Sequence, residues 1–236
     1  MTLIKDENPR QGIEDAIYAG DLPKLLQISG MLHGHYCPFS ALGVKAGARA
    51  MKELGIRQTM GMEEVVAIVE TNNCFSDGVQ IVTGCSFGNN ALIYRDYGKT
   101  AFTLARRNGQ GLRISVRADR VMVERSPEAN ELWGRVVVQH RGSEEDGKRL
   151  SALWKELSFR VLALPDEEVF DVRKVNIDMP SYARIFASVK CSVCGEDVME
   201  PRARFKQGKP VCLPCSGHEY YQLAGDGLSI ITPRAQ

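Results

Sequence analysis

The stretch VVAIVETNNCFSDGVQIVTGC, residues 65–85, changes its periodicity halfway, and the reading of the fold turns on that change. Val65 to Val69 form an unbroken, β-branched apolar run inside EEVVAIVE (63–70), too short for a helix and suited to a buried strand. Beyond TNNCF, the segment DGVQIVT (77–83) predicts a short helix, with Ser76 placed to cap it and Gly84 just past its end. Cys74 falls at the junction, near a helix start.

Upstream, LPKLLQISGML (22–32) carries Leu22, Leu25, Leu26, Met31 and Leu32 at helical spacing behind Asp21, a fitting N-cap. HGHYCP (33–38) follows, and Pro38 opens a second helix that ends near Gly55. Ser40, Gly43, Gly47 and Ala50 share one face of it, the pattern of tight core packing. Downstream, ALIYRDY (91–97), KTAFTLAR (99–106), GLRISVRA (111–118) and VMVE (121–124) read as strands. The turn signals Gly98 and Asn108–Gly111 suggest an antiparallel meander. Residues 127–164 return to helical character, with Trp133 and Trp154 expected as core anchors, and EVFDVRKVNI (168–177) reads as a last strand. Pro180 begins the crossing to a C-terminal module, so the expected domains are 1–185 and 186–236.

Composition narrows the function classes. The 236 residues are 44% hydrophobic and 25% charged, enough for a core, and 30 basic against 29 acidic side chains argue against a dedicated nucleic-acid binder. MTLIKDENPRQ has no apolar region after a basic start, and VVAIV is far too short to span a bilayer, so the expectation is a cytoplasmic chain with no membrane segment. Seven cysteines, four of them in two CxxC pairs, read as intracellular thiols and metal ligands and not as a disulfide frame.

CSVCG (191–195) and CLPC (212–215) are the most specific motif. Each knuckle turns two thiolates toward one point, and Cys191, Cys194, Cys212 and Cys215 predict a closed, structural zinc site. EPRARF and KPV flank KQGK as a hairpin would, and LPCSGHEYYQL can open a helix: knuckle, hairpin, helix, the treble-clef order. Arg202, Arg204, Lys206 and Lys209 make the hairpin basic, most simply as a solvated face.

The N-terminal cluster suggests a second site. Cys37 precedes Pro38 and so takes the N-cap position, where the helix dipole favours thiolate, the form that acts as nucleophile and metal ligand. His35, Cys37 and Cys74 are the expected shared set for a second transition metal, zinc by default, or for a reactive thiolate. His33 is expected to orient the loop, and Asp77 suits either a cap in the first helical turn or a site role. Cys85 lies at the far end of the short helix, about 13 Å from Cys74 at 1.5 Å per residue, too far to share an ion with it.

HGHYCP with a following LG, then VAIVETNNCFSDGVQIVTGCSFGN, then YRDYGKTAFTL, together resemble the FmdE family of formylmethanofuran dehydrogenase proteins over roughly residues 22–118. The resemblance implies an α+β core, an antiparallel sheet flanked by helices, with a C-terminal treble-clef zinc finger and a tendency to form homodimers. By motif position it carries over His35, Cys37, Cys74 and Cys85 as candidate site or catalytic residues. Phe39 departs from the glycine that members often have after the CP pair, and Gly88-Asn89-Asn90 from a more glycine-rich turn. The family takes its name from a molybdenum- or tungsten-dependent enzyme complex, and nothing in this chain resembles a pterin- or iron–sulfur-binding catalytic subunit. The resulting expectation is a zinc-containing enzyme or accessory subunit of metal-dependent redox metabolism, working alone or within a larger oxidoreductase complex. Its rivals are a metal or cofactor carrier for a partner oxidoreductase and a zinc-finger adaptor or nucleic-acid binder.

Overall fold

The computed structural model describes residues 8–123 and 126–233. Residues 1–7 of the N-terminal segment read for an export signal, and Glu124 of VMVE, lie outside them. The chain divides into two compact units, one ending at Pro180 and the other starting at Ser181.

The first unit contains α1 (Gln11–Ala19), α2 (Leu22–His33), α3 (Pro38–Glu53), β1 (Val65–Val69), α4 (Cys74–Thr83), β2 (Leu92–Tyr94) and β3 (Ala101–Arg106). It continues through β4 (Gln110–Val116), α5 (Ala118–Val123), α6 (Pro127–Trp133), α7 (Glu144–Ala163), α8 (Asp166–Val169) and β5 (Phe170–Asn176). The sheet order is β2-β1-β3-β4-β5, and all five side chains of β1 are buried. From β1 outward the ladder through β3, β4 and β5 is antiparallel.

Two details of the expected meander do not hold. β2 is a three-residue edge strand parallel to β1, because α4 intervenes as a crossover and returns the chain in the same direction. Val121 to Val123 belong to helix α5 and not to a strand, and it is β5 that takes the place beside β4. α4 also starts earlier than DGVQIVT. Asn73, not Ser76, caps it, accepting from the Phe75 amide at 3.0 Å, while Ser76 Oγ donates to the Thr71 carbonyl at 2.6 Å. Its other end closes on Gly84 at φ 74°, where Arg10 donates to the carbonyls of Ile81 and Val82 at 2.9 and 2.8 Å.

The small-residue face of α3 packs on α4 of the same chain. A Cβ on Gly43 would stand 2.0 Å from the Phe75 carbonyl oxygen, and one on Gly78 would stand 2.3 Å from that of Ser40. The two backbones touch, which places the starts of α3 and α4 side by side. Beneath them Phe75 meets Phe102 edge-on at 6.0 Å, among fully buried Leu42, Met51, Leu104 and Ile114. Buried Lys45 ties α3 to the end of α7 and to α8, donating to the Leu162 carbonyl at 3.0 Å and pairing with Asp166 at 2.9 Å.

The second unit is built from three antiparallel hairpins: β6 (Ser188–Lys190) with β7 (Asp197–Met199), β8 (Arg204–Lys206) with β9 (Lys209–Val211), and, after α9 (Leu213–Ser216), β10 (Tyr220–Ala224) with β11 (Gly227–Ile231). The helix expected over LPCSGHEYYQL is therefore a single turn. Gly217 at φ 74° stops it, and the tyrosines pair as strand against β11. Among the described residues no helix is long and apolar enough to cross a membrane.

A candidate metal and thiol site at two helix starts

α2 ends at His33 because Gly34 takes up φ 84°, a left-handed turn that throws the chain back on itself. Cys37 is extended, at φ −138° and ψ 138°, and Pro38 starts α3 immediately after it. The hairpin-like reversal brings one ring nitrogen each of His33 and His35 and the sulfur of Cys37 within 4.8 Å of one another. Cys37 is buried, His33 is half-buried and His35 faces solvent.

Each imidazole is steadied by a different element. Asp77, in the first turn of α4, holds His33 Nδ1 at 2.7 Å. A carboxylate can only accept, so that bond places a proton on Nδ1; Nε2, on the opposite side of the ring, is buried and has no hydrogen-bond partner. The His35 ring lies 4.3 Å from that of His33, and Trp154 from α7 stacks on its other side at 6.0 Å and 28°. Trp154 is thus a half-buried wall of this site and not a core anchor, and Trp133 is likewise half-buried.

Cys74, the first residue of α4, flanks Cys37 and does not join the three convergent donors. It is the first influence on the Cys37 thiol. Together with His33 and His35, and against the opposing effect of burial, it brings the Cys37 pKa down to about 3. The Cys74 pKa moves up in return, first because of Cys37 and then because of burial. His33 is raised, mostly by Cys37 and then by Asp77, with burial opposing. Cys85 stands apart at the far end of α4: it is buried in the core, its sulfur is 3.9 Å from the Val65 carbonyl, and burial pushes its pKa up to about 11. Of the residues singled out from sequence, the structure thus brings together His33, His35, Cys37, Cys74 and Asp77. Trp154 was missed, because no local pattern links it to a loop so far upstream.

In the second unit the sulfurs of Cys191, Cys194, Cys212 and Cys215 also lie within 4.8 Å of one another. Cys194 and Cys212 are 3.9 Å apart. Bonds of about 2.3 Å to a tetrahedral centre would space sulfurs about 3.8 Å apart, so the four cysteines fit a zinc ion. The Cys212 amide donates to Cys191 Sγ at 3.3 Å and the Cys215 amide to Cys212 Sγ at 3.5 Å, the pattern of thiolate knuckles. Amides of Cys194 and Cys212 bring the Cys191 pKa down to about 6.

Comparison with known proteins agrees with both units. Residues 32–171 match the family model described as FmdE, molybdenum formylmethanofuran dehydrogenase operon. Residues 184–221 match the prokaryotic dksA/traR C4-type zinc finger. A protein of Archaeoglobus fulgidus named probable S-adenosyl-L-methionine-binding protein is 44% identical over 220 residues, 91% of this chain and 58% of the relative. The chain therefore spans little more than half the length of that relative. A crystal structure of a tungsten formylmethanofuran dehydrogenase FmdE-like protein from Syntrophus aciditrophicus superposes with a TM-score of 0.52 at 22% identity, covering 83% of this chain and 92% of the other. That likeness is one of fold.

Proposed function

The chain belongs to the FmdE family, and from that premise we propose that His33, His35 and Cys37 hold a transition metal with one coordination position left open. A metal with three protein ligands can bind and polarise a further ligand, which suits an enzyme or accessory subunit of metal-dependent redox metabolism. The observation that carries this reading is His33 Nε2, buried and unpartnered while Asp77 fixes the opposite ring nitrogen. A carboxylate behind a histidine is the usual support for a metal-ligating imidazole. His35 completes the set from the solvent side, where an incoming ligand or an exchanging metal has access. Its exposure also favours the rival reading of a metal carrier for a partner oxidoreductase. In either case zinc at Cys191, Cys194, Cys212 and Cys215 is structural, because four sulfurs leave no open position.

Metal analysis of the full chain tests the assignment. The expected content is two metals per chain, falling to one in His33→Ala and in Cys37→Ser with the C-terminal zinc kept. One metal per chain in wild type after incubation with zinc, cobalt or ferrous iron overturns the core site. A metal lost to a chelating partner within seconds marks a carrier, and one held for hours marks an enzyme. S-adenosyl-L-methionine, the ligand in the name of the archaeal relative, is the first small molecule to titrate against the loaded protein. We place the protein in the cytoplasm as a homodimer able to join a larger oxidoreductase complex, as the operon in the family description suggests. The glycine face of α3 is consumed within the chain, so a dimer must use another surface. A monomer in sedimentation at micromolar concentration rules the dimer out.

A further inference from the structure

Cys37 and Cys74 come from loops far apart in sequence, yet each opens a helix, and the two helices touch backbone to backbone at Gly43 and Gly78. With no side chain between the helices, their starts cannot drift apart, and the two thiols are held as neighbours. Of the two, Cys37 is buried among imidazoles, while Cys74 is half-exposed. Cys85 is turned into the core, and the four C-terminal cysteines face one another. The thiol in a position to react with Cys37 is therefore Cys74. A metal ligand whose neighbour is a second, non-ligating thiol has an obvious alternative bond to make.

We propose that Cys37 and Cys74 form a redox-active pair that a small peroxide converts reversibly to a disulfide, withdrawing Cys37 from the core metal site. Cys37 sulfur attacks a peroxide oxygen, the O–O bond breaks and hydroxide leaves, giving a sulfenic acid. Cys74 sulfur then attacks Cys37 sulfur; the S–S bond forms, the S–O bond breaks, and water leaves with the Cys74 proton. Two thiols have lost two electrons and two protons, and one hydrogen peroxide has become two waters. The disulfide leaves the core site with two imidazoles and no thiolate, so its metal departs; reduction by a dithiol restores both. The gating half of this inference rests on the metal assignment above, whereas the disulfide half rests on the helix geometry alone.

Hydrogen peroxide added in small excess to the reduced, full-length protein, followed by peptide mapping, tests it. The expected product is a crosslink between the Cys37 and Cys74 peptides that dithiothreitol reverses. Cys74→Ser should stop at a Cys37 sulfenic acid that dimedone traps, with Cys74→Ala as a second variant should the serine protein misfold; circular dichroism checks both. Cys37 advancing to sulfinic acid in wild type while Cys74 remains a free thiol overturns the pair, as does a dominant crosslink from Cys37 to any other cysteine. Metal content read on the same samples separates the two halves. A crosslinked protein that keeps its core metal overturns the gating, and a reduced protein that never held one overturns the metal assignment with it.

Discussion

Asp77 decides which face His33 shows. With Nδ1 held at 2.7 Å, the imidazole can present only Nε2 to an incoming ion, and the ring cannot turn without breaking that bond. On the metal assignment proposed above, Asp77→Ala should lower core-metal affinity about 10–100-fold, the usual effect of removing such a support. Competition against a chelator of known affinity measures it, and the C-terminal zinc, read in the same titration, should not move. Equal affinity for wild type and variant would assign Asp77 to helix capping alone. At this scale the sequence was only half legible. The clustering of His33, His35 and Cys37 is visible in five residues, but the roles of His33 and Cys74 are set by which helix end each one meets in space. Trp154 contributes a ring from α7, and nothing in its own neighbourhood, a run of leucines, lysine and glutamate, marks it.

α3 and α4 are a pair before they are anything else, and glycine is what makes them one. Gly78→Ala would set a methyl 2.3 Å from the Ser40 carbonyl oxygen and 2.6 Å from the Val44 amide nitrogen, atoms of a helix backbone that has no rotamer to yield. Overpacking of this kind costs about 1–3 kcal/mol, so the midpoint of thermal unfolding should fall by several degrees. On the metal assignment proposed above, the core site should also bind its ion more weakly, because the two helix starts are forced apart. Gly147→Ala, within α7 and with open space around it, is the matched control: it should leave the core site unchanged and, by helix propensity, not lower the midpoint. Elements with a strong local pattern were legible: α2 behind Asp21, α3 behind Pro38, and β1 as an unbroken apolar run. The direction of β2 was not, because parallel or antiparallel pairing depends on where α4 returns the chain. α5 was misread because Val121, Met122 and Val123 carry a strand-like composition, whereas β4, the strand just before them, pairs with β5 instead.

Across the whole molecule the two units depend on different forces. The first has an apolar core of helices on a five-stranded sheet; the second has three two-stranded hairpins and a one-turn helix gathered on four sulfurs, too small to fold on apolar burial alone. Cys212→Ser should abolish structural zinc and unfold the second unit while the first keeps its own transition, a separation that limited proteolysis with zinc analysis detects. A variant that retains full zinc and resists the protease would overturn the four-sulfur assignment. The paired CxxC motif made this unit legible from sequence, although its last hairpin was concealed by tyrosines that also suit a helix. The turn between α2 and α3 carries a further consequence, one of timing. His33, His35 and Cys37 leave the ribosome together, whereas Asp77 lies 44 residues beyond His33 and Trp154 much later still. In the metal-binding role proposed above, the three donors are therefore complete on the growing chain before the carboxylate and the indole that steady the two imidazoles have been made. The order of synthesis puts the donors first and the fixing of their rings last.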